Sequence, residues 1–319
     1  MIRFGVIGIG KISRNSLIPA IQSTNRAQLW SVLSRDINKA RQAAKAFDAF
    51  AERPAFDSMQ EFLADPDLDA VVVASPDKLH AQHSLAAIDS GKHVLVEKPM
   101  ATSVEDADAM VTAARKAGVK LGIAYHMRWH QGHRILAQQV WNGEYGEVQT
   151  VRAQWTFRAP DNSNWRAHDA LGRWWSLAAV GTHCLDWILW MMKPVCGNVE
   201  TVESMIGRID NVSAHDTSAA VHLRFQSGAI AQLFCSAVHD APRIGEIYGG
   251  SGYALCTDTI GVTGDGEIQT HTGRLEFQQV DPYVGEIQDF VSAITDGKEP
   301  EVSGEAGREN IELLTRICP

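Results

Sequence analysis

In the stretch His93-Val94-Leu95-Val96-Glu97-Lys98-Pro99, apolar β-formers end in an acid, an amine and a proline, the pattern of a buried strand finishing at an edge. A lysine held against apolar surface gives up its proton nearer neutrality, and a compact ammonium also polarises a carbonyl or an alkoxide. Taken alone such a lysine is usually a solvated strand-end group, so its companions decide. One is His183, in an apolar run from Gly172 to Met192 with Asp186 nearly one turn on; the run reads as a buried helix that carries the imidazole inward, as a core residue or as an acid–base partner. The other is Gly8-Ile9-Gly10-Lys11-Ile12-Ser13, which follows the strand Arg3–Ile7 and opens an apolar helical pattern.

Strand, tight glycine turn and helix are the context a pyrophosphate needs. Gly8 permits the turn, Gly10 lets backbone approach the phosphates, and the amides of Lys11 and Ile12 lie at the helix start, with Ser13 where a third glycine commonly stands. About 25 residues on, the second strand (28–33) ends in Ser34-Arg35-Asp36. A hydroxyl followed by a guanidinium suits a 2′-phosphate, which favours NADP(H) over NAD(H); the other reading is that Asp36 reaches the ribose, or merely caps the helix from Ile37. The valine-rich strand 68–74 ends in Ser75-Pro76-Asp77, placed to shape a nicotinamide floor. His80, on the next turn, reads either as part of that floor or as a helix-start histidine satisfied by backbone.

These groups need a scaffold. Strands and helices alternate from residue 1 to 124, predicting a parallel sheet covered on both faces, with a capping box at Ser58-Met59-Gln60-Glu61 and a helix from Ser103 to Gly118. From Tyr125 the rhythm changes to alternating strands at 146–158, 199–208, 217–225, 229–238, 246–256 and 274–279, with closing helices at 282–295 and 304–317. The expected fold is α/β: an N-terminal dinucleotide-binding domain, 1–124, and a C-terminal α+β domain, 125–319, with a large open, mostly antiparallel sheet. The last helix is free to pack back on the first domain. Apolar residues on both faces of that sheet predict a homodimer or homotetramer through it.

Of the 319 residues, 45% are hydrophobic and 21% charged, and the net charge is −9. Without a basic run, nucleic acid is not an expected partner. No segment approaches ~20 apolar residues, and Met1 leads straight into a strand, so neither a membrane span nor a signal peptide is expected and the chain reads as cytoplasmic. Five scattered cysteines without Cys-x-x-Cys spacing predict buried thiols and no metal site.

Together, Gly8-x-Gly10, Ser75-Pro76-Asp77-x-x-His80, Gly91-Lys92-His93-Val94-x-x-Glu97-Lys98-Pro99, Arg128 and His183-x-x-Asp186 resemble the glucose–fructose oxidoreductase/inositol dehydrogenase/rhizopine catabolism family (Gfo/Idh/MocA). The likeness spans essentially the whole chain, and Glu97-Lys98-Pro99 is its most specific element. It implies a Rossmann domain followed by an open-sheet domain, Lys98 and His183 as the proton-transfer pair, and Glu97 beside the cofactor. Two positions depart from the pattern. Ala179 stands where the family commonly has an Asp four residues before the histidine, and bulky residues of Arg173-Trp174-Trp175 replace a glycine pair, so the pocket is reshaped. His126, Arg166 and His168 are candidates to fill the gap. His126-Met127-Arg128 with His133, and Trp165-Arg166, resemble one NADP-dependent reductase subgroup that keeps the Asp. Tyr125, His126, Arg128, Trp165, Arg166 and Trp175 are then candidate contacts for a sugar-like substrate, although the default for the tryptophans is core. The implied function is an NAD(P)-dependent oxidoreductase acting on a secondary alcohol or ketone of a sugar or polyol. A non-catalytic sensor of the same fold and a dihydrodiol dehydrogenase remain as alternatives.

Overall fold

Runs of Val, Ile and Leu with no polar alternation bury both faces of a strand, and such strands pair in parallel between helices. A computed structural model of the chain describes residues 1–159, 163–168, 170–209 and 212–319. It divides into two compact units, Met1–Ala124 with Tyr283–Ile311, and Tyr125–Pro282 with Glu312–Pro319.

The first unit alternates β1 (Ile2–Ile7), α1 (Ile18–Ser23), β2 (Ala27–Leu33), α2 (Ile37–Ala46), β3 (Ala55–Phe56), α3 (Met59–Leu63), β4 (Ala70–Val73), α4 (His80–Asp89), β5 (His93–Glu97), α5 (Val104–Ala117) and β6 (Leu121–Ala124). All its strand pairs are parallel, in the order β3-β2-β1-β4-β5-β6. The order reverses between β1 and β4, and ligands of such sheets lie beyond the strand ends at that reversal. The helix starts follow local chemistry: Asp36, Ser58 and Ser103 each accept a backbone N–H of the first turn of α2, α3 and α5, and α5 stops at Gly118 with φ 68°.

In the second unit α6 (Gln131–Trp141), β7 (Val148–Thr156) and α7 (Thr182–Cys196) precede β8 (Val199–Gly207), β9 (Ser218–Phe225), β10 (Ile230–Ser236), β11 (Ile244–Gly249), β12 (Tyr253–Thr257), β13 (Glu267–Thr270) and β14 (Gly273–Arg274). The eight strands form one sheet, ordered β14-β13-β12-β11-β7-β10-β9-β8. Among the described residues only β7 and β10 pair in parallel; the other neighbours are antiparallel. Alternation sorts the residues: Val151, Ala153, Trp155, Val221, Leu223, Leu233 and Cys235 are buried on the face covered by α7. The opposite face exposes Met205 (80%), Ile230 (45%) and Tyr253 (40%). The chain ends in α8 (Pro282–Asp296) and α9 (Gly304–Ile317).

Two expected strands differ. The stretch 246–256 is a hairpin of β11 and β12, because Gly249-Gly250-Ser251-Gly252 turns the chain and the Gly249 N–H donates to Gly252 O at 2.8 Å. Of 274–279, Arg274 pairs with Gln269 of β13, a strand that the sequence pattern did not mark, and the Leu275 N–H donates to Ile268 O at 2.9 Å, after which the chain leaves the sheet. All five cysteines are buried thiols. Among the described residues no helix is long and apolar enough to cross a membrane, and no cluster of three His, Cys, Asp or Glu could hold a metal ion.

Candidate active site

The strand ends of the first unit carry the glycine turn. Gly8 has φ +93°, and a Cβ there would lie 2.6 Å from Ala74 O, so the close approach of the β1 and β4 ends admits only glycine. Gly10 is the opposite case. A Cβ on it meets nothing within 4 Å, so its backbone faces open space beside the exposed Lys11 and the half-buried Ile12. The buried Ser13 hydroxyl donates to Gly8 O at 2.5 Å and braces the turn from within. Residues Ser13–Leu17 form a π turn leading into α1, a helix distortion common at functional sites. An open, glycine-lined cradle at a helix start fits a dinucleotide pyrophosphate.

At the end of β2, Asp36 Oδ1 accepts from Asn38 N (2.9 Å) and Lys39 N (3.4 Å), and Ser34 Oγ accepts from Asp36 N at 3.3 Å. The carboxylate thus caps α2, while Arg35 is exposed beside it. Beyond β4, Ser75 is buried and its Oγ lies 2.9 Å from His83 Nδ1; Pro76 follows, half-buried. His80 is buried with Nδ1 2.7 Å from Pro99 O and Nε2 2.7 Å from Ser75 O, so its ring joins the β4 and β5 exits. Glu97 and Lys98 close β5, 7% and 9% exposed, and Glu97 Oε2 accepts the Lys98 N–H at 3.2 Å.

In the second unit, His183 lies at the start of α7 inside an aromatic box. Trp155 lies tilted by 30° at 5.2 Å between ring centroids, His126 edge-on at 4.9 Å and Tyr125 edge-on at 5.9 Å. The Tyr125 hydroxyl is 2.6 Å from Thr182 Oγ1, tying the box to the helix. Arg128 forks onto Asp186, Nε to Oδ2 at 2.9 Å and Nη2 to Oδ1 at 2.6 Å, a bidentate pair nearly out of solvent that fixes Asp186 away from solvent chemistry. Ala179 is half-buried within an otherwise buried π turn, Leu177–Gly181. Trp165 and Arg166 stack on each other at 4.2 Å in a short 3-10 turn, and His168 beyond it is exposed. Trp175 sits in a small apolar cluster with Ala167 and Ala237, so the structure gathers Tyr125, His126 and His183 but gives Trp175 a packing role.

Two features of this unit escaped the sequence. Asp216, 1% exposed, accepts from Trp175 N at 2.8 Å, Ser176 Oγ at 2.6 Å and Leu177 N at 2.7 Å, and its own carbonyl accepts Ser176 N at 3.1 Å. It caps, from a distant loop, the helix that carries His183. Burial pushes its carboxyl up, opposed by those donors. The second feature is a trio of histidines gripping the loop between β12 and β13: His126 Nε2 lies 2.9 Å from Gly261 O, His130 Nε2 2.9 Å from Asp265 O and His133 Nε2 2.8 Å from Thr259 Oγ1. His130 Nδ1 accepts the His133 N–H at 3.3 Å, which leaves Nε2 as its donor and the ring neutral. Burial holds His133 well below the usual histidine range and lowers His130 as well. The spacing of four and three residues was the available signal, although His126 lies in a 3-10 turn and His130 is the extended residue before α6.

Comparison with known proteins decides the family. Residues 2–125 match the model described as "Oxidoreductase family, NAD-binding Rossmann fold", and residues 133–255 match the GFO/IDH/MocA C-terminal domain. The chain is 30% identical over 313 residues to a 1,5-anhydro-D-fructose reductase of Ensifer adhaerens, covering 96% of this chain and 92% of that one. The chain belongs to the GFO/IDH/MocA oxidoreductase family. Within that family it is also similar to a D-xylose 1-dehydrogenase (NADP(+)) of Haloferax volcanii, 29% identical over 98% of this chain and 94% of the relative. Its fold matches that of the aldose-aldose oxidoreductase of Caulobacter crescentus solved with glycerol, with a TM-score of 0.90, 24% identity, and 99% and 96% of the two chains covered. This GFO/IDH/MocA chain is accordingly an oxidoreductase enzyme with a parallel Rossmann sheet and a large, mostly antiparallel second sheet.

Proposed function

We propose that the chain is an NADP(H)-dependent oxidoreductase interconverting a secondary alcohol and a ketone on a sugar, polyol or derivative, with Lys98 and His183 as the proton-transfer pair. The observation that carries this reading is Lys98 itself: a lysine 9% exposed, at the C-terminal edge of a parallel sheet in which β4 alone stands between β5 and β1, the strand that ends in the open turn at Gly10. The nicotinamide, when bound, supplies the hydride acceptor or donor. In the oxidative direction the substrate hydroxyl proton passes to the Lys98 Nζ lone pair as the carbinol C–H bond breaks; reduction returns that proton to the alkoxide. His183, boxed by Trp155, Tyr125 and His126, orients the hydroxyl and shares its proton. Gly10, Lys11 and Ile12 would hold the pyrophosphate, and Ser34 with Arg35 the 2′-phosphate. The commitment of Asp36 to the cap of α2 supports NADP(H), since it removes the ribose-binding acid from competition.

The sugar-like substrate is supported by relatives whose names are those of sugar reductases and dehydrogenases. Pairing of two copies through the exposed sheet face around Met205, Ile230 and Tyr253 belongs to the same reading. The test is Lys98→Ala. Turnover is expected to fall ~10²–10⁴-fold with NADPH binding, read by fluorescence titration, unchanged. Undiminished turnover across a panel of sugar ketones and polyols would overturn the assignment.

A further inference from the structure

His80 is 1% exposed, and both of its ring nitrogens face backbone carbonyl oxygens, Nδ1 2.7 Å from Pro99 O and Nε2 2.7 Å from Ser75 O. A carbonyl oxygen only accepts. A neutral imidazole carries one N–H and one lone pair, so a neutral ring would satisfy one carbonyl and set a lone pair against the other; the doubly protonated ring donates to both. Contacts this short are also those of charge-assisted hydrogen bonds. We propose that His80 is held as an imidazolium and acts as a positioning residue for Lys98, clamping the β4 and β5 exits together and keeping a fixed positive charge beside the amine so that its neutral, proton-accepting form is favoured.

The placement suits this role. Pro99 follows Lys98 directly, and Ser75 follows β4, the strand paired with β5. The ionisable groups on the segments that hold the ring are Asp77 and Lys78 on the 3-10 turn before α4, His83 one turn on, and Glu97 and Lys98 at the end of β5. Asp77, Glu97 and Lys98 are buried and Lys78 is exposed. An imidazolium offsets the charge of the two buried acids and disfavours a second cation at Lys98, whereas a neutral His80 would leave the acids in excess and hold the Lys98 proton more tightly. Burial lowers His83, and the neighbouring His80 adds to the lowering.

The inference rests on the reading that Lys98 carries the reaction's proton, but its test reads protonation directly. In the full chain with ¹⁵N-labelled histidine, both His80 nitrogens are expected to show the protonated shift at pH 7.5, above the ordinary histidine value. With ¹³C-lysine, the Lys98 Cε signal, assigned by its loss in Lys98→Ala, should titrate about one pH unit higher in His80→Gln than in the wild type, as a lost neighbouring charge requires. A His80 ring with a single proton at pH 7.5 would overturn the proposal without any variant. So would a doubly protonated His80 whose replacement leaves the Lys98 titration in place, the outcome of a purely structural clamp. Neither result depends on turnover, so a failure of Lys98 as the proton carrier shows separately, in the activity of Lys98→Ala.

Discussion

At the residue scale, the groups that a short motif can name were legible and those fixed by distant chain were not. Lys98, Glu97 and the Gly8–Gly10 turn announce themselves because strand, turn and acid–amine order are local. Asp216 gave no such signal: its partners Trp175, Ser176 and Leu177 are about forty positions away in sequence, and only tertiary structure brings a carboxylate to that helix start. Removing it strands three buried donors. Asp216→Ala is expected to destabilise the fold by about 3 kcal/mol, read by urea denaturation, with Asp216→Asn costing less; an effect below about 1 kcal/mol would deny the cap its role. Arg35 is the second test at this scale. Its guanidinium should matter to a 2′-phosphate and to nothing else, so Arg35→Ala is expected to weaken NADPH binding ~10–100-fold, as loss of a charge-assisted bond implies, while leaving NADH binding within about twofold. Equal losses for both cofactors would contradict the NADP(H) reading.

At the element scale, the alternating strands and helices of the first unit were readable because buried parallel strands are written as uninterrupted apolar runs and each helix start carries its own cap, at Asp36, Ser58 and Ser103. The second sheet was less so. The hairpin of β11 and β12 looked like one strand because Glu246, Ile247, Ala254 and Cys256 keep the alternation on either side of the Gly249–Gly252 turn, and β13 was missed because Glu267-Ile268-Gln269-Thr270 holds a single apolar residue that packs inward. The β1–β4 junction makes the sharpest prediction for an element. Gly8→Ala would force an L residue to φ +93° with its Cβ 2.6 Å from Ala74 O, so a loss of at least about 2 kcal/mol is expected, together with weakened NADPH binding. Gly10→Ala meets no protein atom within 4 Å, so it should keep its Tm and lose NADPH affinity alone.

For the whole molecule, the solvent-facing side of the second sheet, with Met205, Ile230 and Tyr253 exposed, and the half-buried and buried histidines set behaviour in solution. If that face joins two copies, light scattering should give at least a dimer, and Met205→Glu with Ile230→Arg should give monomers of unchanged fold; a wild-type monomer would remove the sheet as an interface. His83, His93, His130 and His133 are all lowered, chiefly by burial. Below the ordinary histidine value of 6.5 the unfolded chain binds protons that the folded rings refuse, so stability is expected to fall as pH drops from about 6.5. Asp216, raised in the folded state, opposes this only near the carboxylate range. A Tm constant between pH 7 and 5 would contradict those half-buried and buried neutral rings, and the slope should flatten in the double variant His130→Gln with His133→Gln. The central claim, that Lys98 moves the proton while hydride passes between NADP(H) and a sugar carbon, is tested most directly by label transfer. NADPH deuterated at nicotinamide C4, offered with a panel of sugar ketones, should place one deuterium on the new carbinol carbon in the wild type and leave that product at trace level in Lys98→Ala. Label transfer undiminished in Lys98→Ala, or absent from every ketone with the wild-type enzyme, would contradict it.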